Sequence, residues 1–218
     1  MLLIILLTGC SAFPLTPPAQ VDRVPAGTLD AATARTSLAA LPVATPGRLD
    51  GYSRDCKDGA CVFGQPWFDT DGDGCDQRSQ VLARDLTAVE RKPGRCGVQA
   101  GTLDDPYTGK RITTVSKIQI DHVVPLAEMW RSGAAGWALD QRVAAANDLR
   151  NLVAVEGKVN QSKGDKTPDE WMPPNAGYAC SYGRIYVTVK AAYALSVAPV
   201  ERAALENALT TCDTPPAT

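Results

Sequence analysis

His122 is the single histidine of the chain, and it stands in the string Ile120-Asp121-His122-Val123-Val124-Pro125. Asn151 and Asn160 follow, nine residues apart, with Lys163 three further on. Together these residues offer an imidazole, a carboxylate, two neutral carboxamides and an ammonium. Hydrolysis of a phosphodiester at neutral pH needs a nucleophilic water, neutralised charge on the non-bridging oxygens and a stabilised leaving oxygen. A neutral imidazole supplies the first and a divalent metal the other two. Hard cations take oxygen ligands, so Asp121 and an Asn side-chain carbonyl suit such a metal. A lone histidine is ordinarily a satisfied, partly buried side chain. The register of its companions is what points to catalysis.

Local structure must then place these groups. An extended segment over residues 113–121 delivers Asp121 and His122 at its end, where neighbouring side chains leave on opposite faces. Pro125 keeps a helix from starting before it. Leu152-Val153-Ala154-Val155 reads as a short buried strand, and Gly157 breaks it from a helix over 158–164 on which Asn160 and Lys163 share a face. Apolar spacing predicts further helices at 78–89, 126–130, 140–147, 182–195 and 199–211, the last with a proline at its start. A second extended segment is expected at 95–100 and a capped single turn at 167–171. Trp130, Trp137 and Trp171 are read as packing residues. Helix exceeds strand, so the class is α+β.

The chain has 218 residues, enough for one domain with a real core and marginal for two. Apolar content of 44% with 21% charged residues excludes a disordered or membrane-spanning body. A net charge of −2 argues against wholesale wrapping around nucleic acid, yet leaves room for a local basic groove. Residues 1–10 begin with the apolar run Leu2-Leu3-Ile4-Ile5-Leu6-Leu7 and end in Leu7-Thr8-Gly9-Cys10, which resembles a lipoprotein signal with Cys10 as the acylated residue. No Lys or Arg precedes the run, and a plain signal peptide with an incidental cysteine is the alternative. Residues 11–48, rich in Pro, Ala and Thr, read as a flexible tether, residues 49–212 as the folded domain and 213–218 as a disordered tail. Export follows from the signal, as a cell-surface lipoprotein or as a fully secreted protein.

Six cysteines remain: Cys56, Cys61, Cys75, Cys96, Cys180 and Cys212. Proximity pairs them as Cys56–Cys61, Cys75–Cys96 and Cys180–Cys212. Zinc is the competing use, but no CxxC occurs. Asp69-Thr70-Asp71-Gly72-Asp73-Gly74 places carboxylates at the first, third and fifth positions of an EF-hand-like calcium loop, with glycine sixth. The twelfth position is Gln80, which lacks the usual bidentate carboxylate. Structural calcium at Asp69, Asp71 and Asp73 therefore competes with a plain Asp/Gly turn capping the next helix.

The Asp121-His122 doublet with Pro125, Asn151 before its strand and Asn160 nine residues later resemble the HNH (ββα-metal) endonucleases. The stretch from Tyr52 to Cys212 is more specifically similar to secreted actinobacterial HNH proteins related to the GmrSD restriction-enzyme C-terminal domain. The strings carrying this likeness are Asp71-Gly72-Asp73-Gly74-Cys75-Asp76, Val81-Leu82-Ala83-Arg84-Asp85-Leu86, Asp105-Pro106-Tyr107-Thr108-Gly109, Asn160-Gln161-Ser162-Lys163-Gly164-Asp165 and Trp171-Met172-Pro173-Pro174. The resemblance implies a ββα-metal core within a mainly helical, disulfide-stapled domain. It further implies His122 as general base, Asn151 as the residue orienting it, and Asp121 with Asn160 as ligands of one divalent cation, Mg2+ first, with Mn2+ or Zn2+ as alternatives. Lys163 is expected on a phosphate, with Lys166 and Arg184 as further substrate contacts. The implied function is a monomeric, metal-dependent endonuclease cutting DNA, or RNA, with low sequence specificity. A catalytically inactive HNH-fold surface lipoprotein serving as a binding module is the alternative. Two departures from the general pattern are the final Asn where a His is common and the missing zinc knuckles.

Overall fold

In the computed structural model, which describes residues 24–56 and 61–213, two apolar clusters share one wall. The helices in chain order are α1 (Ala31–Ala40), α2 (Gln77–Asp85), α3 (Leu126–Ser132), α4 (Leu139–Ala146), α5 (Gly157–Lys163), α6 (Ala179–Ala192) and α7 (Pro199–Thr210). The strands are β1 (Thr87–Arg91), β2 (Val98–Asp104), β3 (Arg111–Ile112), β4 (Ile118–His122) and β5 (Leu152–Glu156). β1, β2 and β3 form one antiparallel sheet, and β4 pairs with β5 in a separate antiparallel ladder. The class is α+β, as expected, with helix predominant.

The shared wall is β5. Leu152 and Ala154 enter the smaller cluster with Val81, Leu82 and Leu103, while Val153 and Val155 enter the larger helical cluster. Burial on both faces explains why four successive residues are apolar. β4 differs. Ile118 and Ile120 join the smaller cluster, and alternation then turns Gln119 and Asp121 toward the helical side.

α2 starts at Asp76, whose carboxylate accepts from the Ser79 N–H at 2.7 Å. It stops at Asp85, short of the expected 89, because the next residues are used differently. The Arg84 guanidinium donates to the Leu149 and Leu152 carbonyls, and Asp85 accepts the Ala154 N–H. Thr87 to Arg91 then pair with β2. The expected strand at 95–100 moves to 98–104, since Pro93-Gly94 lie in the connection between β1 and β2. The extended segment expected from 113 begins only at Ile118, after a 3-10 turn over Val115–Lys117.

The larger cluster corrects the expected tether. Residues 24–48 belong to the folded body: α1 is capped by Asp30 and buries Ala34 and Leu38, with Leu41 behind them. Val43 bridges Val197, and the Gly47 N–H reaches the Arg131 carbonyl at 2.8 Å. A stretch poor in large side chains read as unfoldable, but the residues of α6 and α7 provide the bulk and α1 needs only a narrow stripe. The three disulfides pair as proximity suggested. That use of all six sulfurs removes the zinc alternative. Cys10, the signal segment and residues 214–218 lie outside the described residues.

Candidate active site

His122 ends β4 half-buried in the wall of a pocket that Arg54, Phe63, Trp67, Leu126 and Asn147 complete. Its Nε2–H donates to the Ala146 carbonyl at 2.8 Å. That carbonyl ends α4, where helical carbonyls lack a partner of their own. The bond selects the neutral tautomer in which Nδ1 keeps its lone pair. Burial pushes the His122 pKa from 6.5 down to about 3, and the cations of Arg54 and Lys163 push the same way against the Ala146 carbonyl. The ring is therefore neutral at any pH near 7, as an acceptor of a proton must be.

Asp121 leaves β4 on the other face and is 5% exposed. One carboxylate oxygen accepts from the Tyr107 hydroxyl at 2.5 Å and the other from Lys163 Nζ at 3.0 Å. Lys163, fully buried, also donates to the His122 carbonyl at 2.8 Å. Burial raises the Asp121 pKa, while Lys163 and the Tyr107 hydroxyl pull it down. Lys163 is thus not a phosphate contact: its ammonium lies inside the protein, locking α5 to the end of β4. Nor do Asp121 and Asn160 fit a divalent cation in this arrangement. The Asp121 oxygens are committed to an ammonium and a phenol, and a dication beside Lys163 would meet like charge. Asn160 donates from Nδ2 to Gln119 Oε1 at 3.0 Å.

Asn151 positions the histidine segment without touching its ring. Wholly buried, it accepts the Val124 N–H at 2.8 Å and donates to the Val124 carbonyl at 3.0 Å, clamping the chain two residues past His122. Lys166 is exposed and donates to the Ser162 carbonyl in the last turn of α5. Arg184 is drawn into structure, donating to the Leu29 carbonyl at 2.8 Å, and so joins α6 to the N-terminal segment rather than to substrate. Trp130, Trp137 and Trp171 all pack against other aromatic rings, as expected.

Four residues escaped sequence reasoning. Arg54, exposed beside His122, and Trp67, more than a third exposed in the same pocket, lie in a loop without periodicity, so nothing signalled them. Tyr107 carried a signal, because Asp105 caps the turn that aims it by accepting the N–H groups of Tyr107 and Thr108. Ala146 contributes only its carbonyl, to which a side-chain search is blind.

No solved structure matches the chain. A protein of the fungus Arthroderma benhamiae named "Uncharacterized secreted protein" is 43% identical over 200 residues, covering 91% of this chain and 93% of that protein. The family model for the C-terminal domain of GmrSD restriction endonucleases matches residues 76–205, more than half of the chain and all of the strand, helix and loop segments around His122 except the one carrying Arg54 and Trp67. The chain belongs to the family of the GmrSD restriction endonuclease C-terminal domain.

Proposed function

We propose that this protein is an exported endonuclease that hydrolyses phosphodiester bonds of DNA, with RNA as a second substrate, using His122 as general base. The observation that carries the reading is the Nε2–H bond to the Ala146 carbonyl, which leaves Nδ1 as the basic atom of a pocket-lining ring. In the reaction, Nδ1 takes a proton from water as the oxygen attacks phosphorus. Arg54 meets the non-bridging oxygens, and the leaving oxygen takes a proton from solvent. An imidazole held at a low pKa is a weak base. Burial is the main cause of that depression, and a phosphate docked on Arg54 offsets the cationic part of it, so basicity rises when substrate is present. Trp67 offers an aromatic face that stacks on any base, which favours low sequence specificity. The β4–β5–α5 unit supports a ββα core, and three disulfides suit an oxidising compartment.

No step is assigned to a cation. If Mg2+ or Mn2+ raises activity and EDTA abolishes it, the metal-free assignment is overturned. The test is nicking of supercoiled plasmid by the oxidised protein, with each metal and with EDTA. His122→Ala is expected to lose about 10²–10⁴ in rate with its thermal midpoint retained. Full activity in that variant sinks the assignment of the base. Cleavage of neither DNA nor RNA under any of these conditions sinks the enzyme and leaves a binding module.

A further inference from the structure

The acidic loop before α2 takes no part in the proposed hydrolysis. Asp69, Asp71 and Asp73 each offer an oxygen, and these oxygens lie within 4.8 Å of one another. Ligands at opposite sides of a calcium ion are about 5 Å apart, because each stands at about 2.4 Å. Hydrogen bonds use part of their capacity: Asp69 accepts the N–H groups of Gly72 and Gly74, and Asp73 that of Cys75. A carboxylate oxygen has further lone pairs, so these bonds pre-shape the loop without closing it to a cation.

An acidic turn alone would end the matter there. Gln77 adds a separate observation. It is the ninth residue counting from Asp69, and it is wholly buried. Its Nε2 donates to Thr70 Oγ1 at 2.7 Å, which holds the carboxamide against the loop. Its Oε1 has no hydrogen-bond partner among the described residues. Buried carbonyl oxygens are seldom left so, and the ninth position of a calcium loop is a ligand position. At the twelfth, Gln80 already reaches Asp71 at 3.0 Å.

We propose that the loop from Asp69 to Gln80 binds one Ca2+ through the carboxylates of Asp69, Asp71 and Asp73 and the side-chain oxygen of Gln77. The backbone carbonyl of Cys75, seventh in the loop, completes the protein ligands, with water filling the rest. With a neutral residue in the twelfth place the site is weak, with a Kd of roughly 10⁻⁴–10⁻³ M, the range of extracellular modules. Ca2+ is favoured over Mg2+ because an exposed, adaptable loop with many oxygens suits the larger ion. The Cys75–Cys96 disulfide ties the loop to the β1–β2 connection, so occupancy stabilises the whole fold.

The test is thermal unfolding of the oxidised protein with and without about 10 mM CaCl2, where a rise in Tm of roughly 3–6 °C is expected. Asp71→Asn combined with Asp73→Asn changes two exposed side chains, folds as the parent, and loses the shift. Gln77→Met raises the Kd, read by terbium luminescence with Ca2+ competition. If that variant fails to fold, the paired Asn variant alone decides. The shift survives in His122→Ala and Asn160→Ala, which separates this site from any cation near Asp121. No shift in the parent, an equal shift with MgCl2, or a shift that persists in the paired Asn variant overturns the proposal.

Discussion

Among the described residues two lysines, Lys163 and Lys190, are buried completely, and their surroundings use the same chemistry to different ends. Lys190 of α6 binds Glu128 of α3 at 2.7 Å, Glu201 of α7 at 2.9 Å and the Ser196 carbonyl, and the Tyr186 hydroxyl donates to Glu201. Lys163 of α5 binds Asp121 of β4 and the His122 carbonyl, and the Tyr107 hydroxyl donates to Asp121. Each centre is a lysine, carboxylate and tyrosine sealed from water. The first joins three helices and counters two carboxylates, with Arg131 beside Glu128 as a second cation. The second balances one charge with one and takes hold of the backbone of the histidine itself. Charge in the helical core is scaffold, whereas charge behind β4 sets where the imidazole stands.

Breaking the first centre is expected to cost most. Lys190→Met removes the cation shared by two buried carboxylates, leaving Glu128 only Arg131, and lowers stability by about 4–5 kcal/mol in urea denaturation, or prevents folding. Lys163→Met strands one carboxylate, which keeps the Tyr107 hydroxyl as a donor. About 3 kcal/mol is expected. This variant also frees the His122 carbonyl, so plasmid nicking should fall further than its unfolded fraction explains. Undiminished nicking by the folded fraction would remove the distinction between the two centres.

The tyrosines sharpen the contrast at smaller scale. Tyr107→Phe removes a donor from Asp121, which keeps only Lys163, and is expected to cost about 1–2 kcal/mol. Tyr186→Phe should cost less, because Glu201 retains Lys190 and the Ala198 N–H. Equal losses in thermal unfolding would contradict that ranking.

The smallest effect is in pH. The unfolded chain protonates His122 below about 6.5, while the folded chain resists until about 3. The ring's contribution to stability is therefore complete above pH 6.5 and is lost as pH falls through that window toward 3. Between pH 7.5 and 5.5 the parent should lose roughly 1 kcal/mol more than His122→Gln. The same depression predicts that hydrolysis has no acid limb between pH 6 and 7. Arg54→Ala removes one of the depressing charges and moves the limb upward, so an unchanged profile would take Arg54 out of the site.

Short-range chemistry was legible before any fold was known. Cysteines near one another paired as neighbours, the Asp/Gly turn led into a capped helix, and the apolar run of β5 announced a buried strand. Asn151 was singled out as the residue that orients the His122 ring, whereas its hydrogen bonds go to the Val124 backbone. α1 escaped notice because its stripe of Ala34, Leu38 and Leu41 acquires meaning only against α6 and α7. Arg54 and Trp67 are in the His122 pocket by loop geometry, which leaves no periodic trace.

Spacing along the chain placed Asp121 and His122 on opposite faces of a strand and Asn160 with Lys163 on one face of a helix. Those are local consequences of the two backbone periods. What each face meets was decided by packing. Tyr107 arrives from a turn before β4 and α5 folds back over the strand, so Asp121 and Lys163 satisfy each other in the dry interior. His122 is left with the Ala146 carbonyl and the open pocket, where burial keeps its ring neutral.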